Sequence, residues 1–199
     1  MWDERYNTDE FVYGEEPNEF LRDAIAGMPA GRALCLAEGE GRNAVFLAEQ
    51  GFDVLAVDNS AVGLQKAARL AEARAVRIET LVADLADYTI EPGAWDLIVS
   101  IFCHLPAEIR QRLHREVVAG LRPGGVFILE AYTPAQLELA TGGPPTEALM
   151  MRLDELTTEL DGLEFEHATE RERDVVEGRL HTGRGAVVQI LAHRPVDEW

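Results

Sequence analysis

The sequence predicts an α/β fold: a seven-stranded sheet, mainly parallel, covered by helices on both faces and closed by an antiparallel hairpin. Three observations predict it. Five short apolar runs alternate with amphipathic helical stretches over the first two thirds of the chain. One of these alternations, Ala33 to Asp58, puts a glycine turn between strand and helix. The last third holds two strand-like segments with no helix between them, whereas parallel neighbours would need a crossover of a dozen or more residues.

The elements follow in order. Residues 1 to 16 carry Trp2, Tyr6, Phe11 and Tyr13 without a clean period, and read as an N-terminal arm or lid. Pro17 opens a helix with Phe20, Leu21, Ala24 and Ile25 on one face, ended by Gly27. Ala33 to Ala37 is a buried strand, and Gly39-Glu40-Gly41 is a tight turn. Arg42 to Gln50 is a helix with Ala44, Leu47 and Ala48 inward, and Gly51 stops it. Val54 to Val57 is the second strand, ending on Asp58. Ser60 caps a helix that runs to about Arg74. Val76 to Ala83 is a third strand, and Leu85 to Gly93 a loop. Trp95 to Ile101 is a fourth strand, with Phe102-Cys103-His104 at its end. Pro106 starts a helix with Ile109, Leu113, Val117 and Leu121 inward, broken by Pro123-Gly124-Gly125. Val126 to Ala131 is the fifth strand. A loop at Thr141 to Pro145 leads to a helix over Thr146 to Leu160, then to strands at Leu163 to Val176 and Gly183 to Ala192.

The chain has 199 residues, enough for one full core, and a formal net charge of −18. That charge argues against nucleic acid as a partner, because phosphates need a basic face. It also disfavours anionic membranes, and it attracts a cationic cofactor. No apolar run approaches the ~20 residues of a membrane span. Cys35 and Cys103 both read as reduced core thiols, which fits a cytoplasmic protein. No cluster has metal-ligand spacing. A monomer or a weak homodimer is expected.

The unit from Ala33 to Asp58 points to an adenosine-bearing cofactor. Glycines let the backbone approach the ligand, the helix N-terminus favours polar groups, and a strand-end acid can accept from both ribose hydroxyls. The string Gly39-Glu40-Gly41-Arg42-Asn43-Ala44 also fits the NAD form. An NAD domain, however, would continue parallel and need a separate substrate domain.

Taken together, LCLAEGEGRN at 34 to 43, AVDNS at 56 to 60, VADLADY at 82 to 88, WDLIVSIFCHLP at 95 to 106 and LRPGGVFILEAYT at 121 to 133 resemble the class I S-adenosylmethionine (SAM)-dependent methyltransferases. The opening WDERY and YGEEPN, with GRLHTGRGAVVQ near the end, are most similar to the small bacterial tellurite-resistance and thiopurine-methyltransferase-like branch. The resemblance implies a three-layer, Rossmann-like fold and methyl transfer to a small-molecule acceptor. It implies SAM as cofactor, held by the turn at Ala37, Glu38, Gly39 and Glu40 and by Asp58 at the ribose. Asn59 and Ser60 would line the adenine side, with simple helix capping as the alternative. Asp84 would accept from the adenine amino group beside the Leu85 backbone, and Ser100 to Phe102 would back the methionine portion.

The turn departs from the family pattern. An acid usually precedes its first glycine, and here those places hold Cys35 and Ala37. Ala37 adds one methyl, which the turn accepts at negative φ. Glu38 is expected to face the cofactor's ammonium group, or else to be an acid stabilised at a helix N-terminus. His104 is the candidate general base, against a half-buried ring with no chemical part. Trp2, Tyr6, Tyr13 and Phe102 are the candidate acceptor contacts. His114 falls on the exposed side of its helix. The expected acceptor is a soft nucleophile, a thiol or a metalloid oxyanion. Two alternatives are a non-catalytic SAM-binding protein and an NAD-type oxidoreductase.

Overall fold

The computed structural model describes residues 2–178 and 181–196. In chain order the elements are α1 (Trp2–Tyr6), α2 (Glu19–Ala24), β1 (Arg32–Leu36), α3 (Arg42–Glu49), β2 (Asp53–Asp58), α4 (Ala61–Ala73), β3 (Glu79–Val82) and β4 (Trp95–Ile101). There follow α5 (Ala107–Gly120), β5 (Leu121–Tyr132), α6 (Gln136–Leu139), α7 (Leu153–Glu159), β6 (Glu164–Glu177) and β7 (His181–His193). The strands form one sheet in the order β3-β2-β1-β4-β5-β7-β6. Pairs among β3, β2, β1, β4 and β5 are parallel, while β7 is antiparallel to both β5 and β6. The expected hairpin is therefore present.

Alternation along the central strands sends side chains to two cores. Leu34, Leu36, Ile98 and Phe127 pack with Leu113 and Val117 of α5 and Leu156 and Leu160 at α7. Ala33, Cys35, Leu97 and Val99 pack on the other face with Leu21, Ala44, Leu47 and Leu64. Each fully buried leucine or isoleucine here stabilises by about 1.5–3 kcal/mol. After β3 the chain crosses back over β1 to reach β4. The strand order thus diverges between β1 and β4, and the crevice at their C-terminal ends is where such sheets bind ligands.

The structure corrects several expectations. The first long helix starts after Asn18, whose side chain caps it by accepting from Leu21 N–H, so Pro17 lies outside. The third strand is shorter than predicted. Leu121 belongs to β5, paired with Trp95, because Gly120 ends α5 before the Pro-Gly-Gly segment. The helix predicted over 146–160 is a 3₁₀ turn, Glu147–Leu149, followed by α7. Tertiary partners break it. The Met151 N–H donates to the Tyr132 carbonyl (3.0 Å), and the Met150 carbonyl accepts from the Arg110 guanidinium (3.1 Å). His114 is buried, 2% exposed, because its Nδ1 pairs with Glu159 of α7 at 2.7 Å. No helix among the described residues is long and apolar enough to cross a membrane.

Candidate functional site

A cavity of about 500 Å³ opens at the C-terminal ends of β1, β2 and β4. The turn after β1 forms its floor, contributing Ala37, Glu38, Glu40, Arg42 and Asn43. Asp58 and Asn59 come from the end of β2, Asp84 and Leu85 from the loop after β3, and Ile101 to Leu105 from the end of β4. Trp2, Arg5, Tyr6, Tyr13 and Gly14 of the N-terminal arm cover it on one side, and Gly142 to Pro145 with Leu149 on another.

The turn is built by its own hydrogen bonds. The Glu38 carboxylate accepts from the N–H groups of Asn43 (2.9 Å) and Ala44 (2.8 Å), the first free donors of α3. It takes the place of an N-cap side chain, since the cap residue is Gly41 at φ +92°. One oxygen of Glu38 is thus occupied at the helix N-terminus, as the dipole favours. Burial raises its pKa to about 7, against the lowering influence of the Ala44 N–H and Arg42. Asp58 accepts from Gly39 N–H and Ser60 N–H, both at 2.8 Å, one on each carboxylate oxygen. Each oxygen keeps a lone pair, and the group is 6% exposed at the cavity wall. Burial raises the Asp58 pKa, opposed by those N–H donors.

Two residues other than glycine sit in the left-handed region at this site. Ala37 has φ +51° and Phe102 φ +52°. The condition of a negative φ at Ala37 is therefore not met: the chain turns already at the end of β1, two residues before Gly39. Such conformations cost about 1–3 kcal/mol each and persist where surroundings over-determine them. Phe102 is fixed by its N–H on the Glu130 carbonyl (2.7 Å) and by its ring against Tyr132, centroids 4.7 Å apart.

His104 lines the cavity, but both ring nitrogens have backbone partners. Nδ1 lies 2.9 Å from the Leu149 carbonyl, which can only accept, so Nδ1 carries the proton. Nε2 accepts from Tyr132 N–H at 3.4 Å. Burial lowers its pKa to about 4. This is a neutral imidazole tying β5 to the 3₁₀ turn, a poor arrangement for a general base at neutral pH. Cys103 beside it is pushed up to about 12 by burial and is no ready nucleophile.

The cavity brings together Trp2, Tyr6, Tyr13, Ala37, Glu38, Glu40, Asp58, Asn59, Asp84, Leu85, Phe102 and His104. Three expected residues stand outside it. Ser60 caps α4 by accepting from Gly63 N–H (3.0 Å) and donates to Asp3 (2.5 Å), which fixes it as a cap. Ser100 is buried in β4, one pleat away from the wall. Gly39 is covered by Tyr6, whose hydroxyl a Cβ at 39 would meet at 2.6 Å.

Sequence reading missed Arg42, Arg5 and the Gly142–Pro145 loop. Arg42 is the most consequential. Its guanidinium pairs with Glu177 at 2.5 Å, and Glu177 also accepts from Arg173 (2.8 Å) and Asn18 (2.9 Å). Arg173 and Gln189 reach Glu130 at 2.6 and 2.7 Å. This buried network binds the hairpin and α2 to the start of α3. An Arg at the first turn of a helix, where the dipole disfavours a cation, was the available signal.

Such a strand-end cavity, with a carboxylate fixed beside a glycine turn, suits a nucleoside-bearing ligand. Residues 33–125 match the family described as methyltransferase domain. Solved structures agree on the fold. The structure solved for the conversion of a disulfide bond into a thioacetal group during echinomycin biosynthesis matches this chain with a TM-score of 0.77 at 18% identity, over 99% of this chain and 92% of that one. TehB from Haemophilus influenzae gives 0.73 at 20% identity, over 97% of this chain and 65% of its own length. The N-methyltransferase NodS from Bradyrhizobium japonicum WM9 gives 0.67 at 13% identity, over 89% and 93%. No curated protein matches the sequence. The chain thus shares the mixed seven-stranded fold of these solved structures.

Proposed function

We propose that this protein is a methyltransferase that binds SAM in the strand-end cavity and passes the methyl group to a small, soft acceptor, a thiol or a metalloid oxyanion. The observation that carries this reading is the cavity itself. Its ~500 Å³ lies in the range of small-molecule sites, about 300–1,000 Å³, so a cofactor leaves room for only a small second ligand. The residues fit the cofactor. Asp58 has a spare lone pair on each oxygen for the ribose hydroxyls. Asn59, Asp84 and Leu85 line the wall beside it and suit the adenine. Asp58 and Asp84 give an acidic lining that favours a cation. SAM supplies, when bound, a methyl group on a cationic sulfur.

The protein's own part is then alignment and exclusion of water. Trp2, Tyr6 and Tyr13 roof the cavity, with Tyr6 stacked on Trp2 at 5.7 Å between centroids and edge-on to Tyr13 at 6.2 Å. With His104 occupied on both sides, the acceptor has to need little base assistance. A thiol that supplies its own thiolate meets that condition. One relative in fold points the same way: its structure was solved for the conversion of a disulfide bond into a thioacetal group, which is sulfur chemistry. A net charge of −18 favours a small acceptor over nucleic acid.

Titration calorimetry with SAM and its demethylated product, followed by a panel of thiols, metalloid oxyanions, amines, proteins and nucleic acids, tests this. Methylated product from thiols or oxyanions is the expected result. Methylation confined to a macromolecule overturns the acceptor class. Binding of SAM with no product from any acceptor favours the non-catalytic alternative.

A further inference from the structure

Lys66 is the anomaly of α4. It lies on the helix's buried stripe and is 1% exposed. A buried ammonium is tolerated only with a full set of partners, and here the partners come from two other segments. Nζ donates to the backbone carbonyls of Glu10 (2.6 Å), Thr8 (3.1 Å) and Tyr6 (3.4 Å), all in the N-terminal arm. It also pairs with the carboxylate of Glu40 at 2.5 Å, between the two glycines of the turn. The other oxygen of Glu40 accepts from Tyr13 N–H at 3.1 Å, which again lies in the arm. One ion pair therefore holds the arm at four backbone points, two of them at the tyrosines that roof the cavity.

Glycines make room for this seat. A Cβ at Gly63 would meet the Tyr6 ring at 3.0 Å, and one at Gly39 would meet its hydroxyl. The roof and the floor of the cavity thus share the Lys66–Glu40 pair.

We propose that Lys66 and Glu40 are positioning residues for the methyltransferase site: their ion pair latches the arm onto the glycine turn, so that the turn that forms the cofactor's floor also sets how firmly Tyr6 and Tyr13 close over it. This rests on reading the cavity as the SAM site. Lys66 touches neither ligand. It acts through the arm, and its loss speeds ligand escape.

The test compares the wild-type full chain with Lys66→Met and with the double variant Lys66→Met/Glu40→Gln, which leaves no unpaired buried charge and keeps the fold assessable. Two quantities are read: hydrogen exchange at the amides of residues 2–13 against those of β1 and β4, and the dissociation rate of the demethylated cofactor by stopped flow. The expected result is faster exchange in the arm alone, with dissociation at least ~10-fold faster. Unchanged arm exchange in the double variant overturns the latch. Faster arm exchange with unchanged dissociation overturns its positioning part. Loss of protection in the central strands as well as the arm makes the pair a plain stabiliser and also overturns it. If the wild type binds neither SAM nor its product, the cofactor reading falls, and arm exchange alone still decides whether the pair is a latch.

Discussion

The glycine turn and the start of α3 are gripped by buried charge from two sides, and the two grips differ in design. On the hairpin side, Arg42 and Arg173 share Glu177, Arg173 continues to Glu130, and Asn18 and Gln189 fill remaining acceptors. Every charge there has more than one partner on more than one element. On the arm side the attachment rests on one buried ion pair, Lys66–Glu40, and on Asp3 accepting from Ser60, and most partners of the ion pair are backbone groups of a segment with little regular structure. Redundant networks rigidify, because no one bond frees an element. An attachment that rests on few side chains lets a segment leave and return as a unit. The hairpin is built as scaffold and the arm as cover.

The largest effect is expected on the scaffold side. Glu130→Ala removes the acceptor of Asn18, Arg173 and Gln189 at a site with no solvent exposure. Loss of about 3–5 kcal/mol is expected, because Arg173 keeps a buried charge with one partner fewer. Chemical denaturation measures it. A loss below about 1 kcal/mol would show the hairpin grip to be as dispensable as an exposed ion pair.

The turn between the grips carries its own pH signature. Glu38 titrates at about 7 in the folded chain, above the usual 4.5, because burial outweighs the Ala44 and Asn43 N–H groups and Arg42. An acid raised in this way contributes stability that is present below pH 4.5 and lost as pH rises through about 7. The loss is on the order of 3 kcal/mol. Glu38→Gln keeps an oxygen for the helix N–H groups and should flatten that slope. His104 works in the opposite sense. Its folded value of about 4 lies below the usual 6.5, so its contribution is present above pH 6.5 and lost as pH falls through 4. Denaturation midpoints at pH 4.5, 6 and 8 separate the two. An unchanged slope between pH 5 and 8 in Glu38→Gln would show that the helix N–H groups keep Glu38 ionised throughout.

Asp58→Ala tests the ligand wall. Binding of SAM should weaken by about 1.5–3 kcal/mol for each charge-assisted bond lost, less what water replaces. Calorimetry on the folded variant decides, and unchanged affinity would remove Asp58 from the cofactor's contacts. The smallest effect is expected at His104. Because its Nε2 faces Tyr132 N–H and its Nδ1 faces Leu149, His104→Gln should lower kcat less than about tenfold, below the ~10²–10⁴ of an essential acid–base group. A loss beyond a hundredfold in steady-state turnover would restore the histidine as a base.

The sequence by itself determined the unit from Ala33 to Asp58, because apolar period, glycine turn and terminal acid are local features that a few neighbouring residues enforce. It also determined the antiparallel ending, since two strands without a crossover helix between them cannot pair in parallel. Asp58, Asn59, Asp84 and Leu85 could be placed together because they end or follow strands whose order is fixed by topology. What only the tertiary structure decided concerns charge and exposure. Glu38 had two readings, and only the structure put one of its oxygens on the N–H groups of α3. His114 looked exposed until Glu159, far along the chain, covered it. Ser60 and Ser100 looked like wall residues, but helix capping and strand pleat turn them inward. Lys66 left one trace in the sequence, a charge at 66 on the buried stripe of Gly63, Ala67 and Leu70. Its meaning waited for the arm. A buried charge is fixed by its partner, and the partner can lie anywhere in the chain that folding brings near.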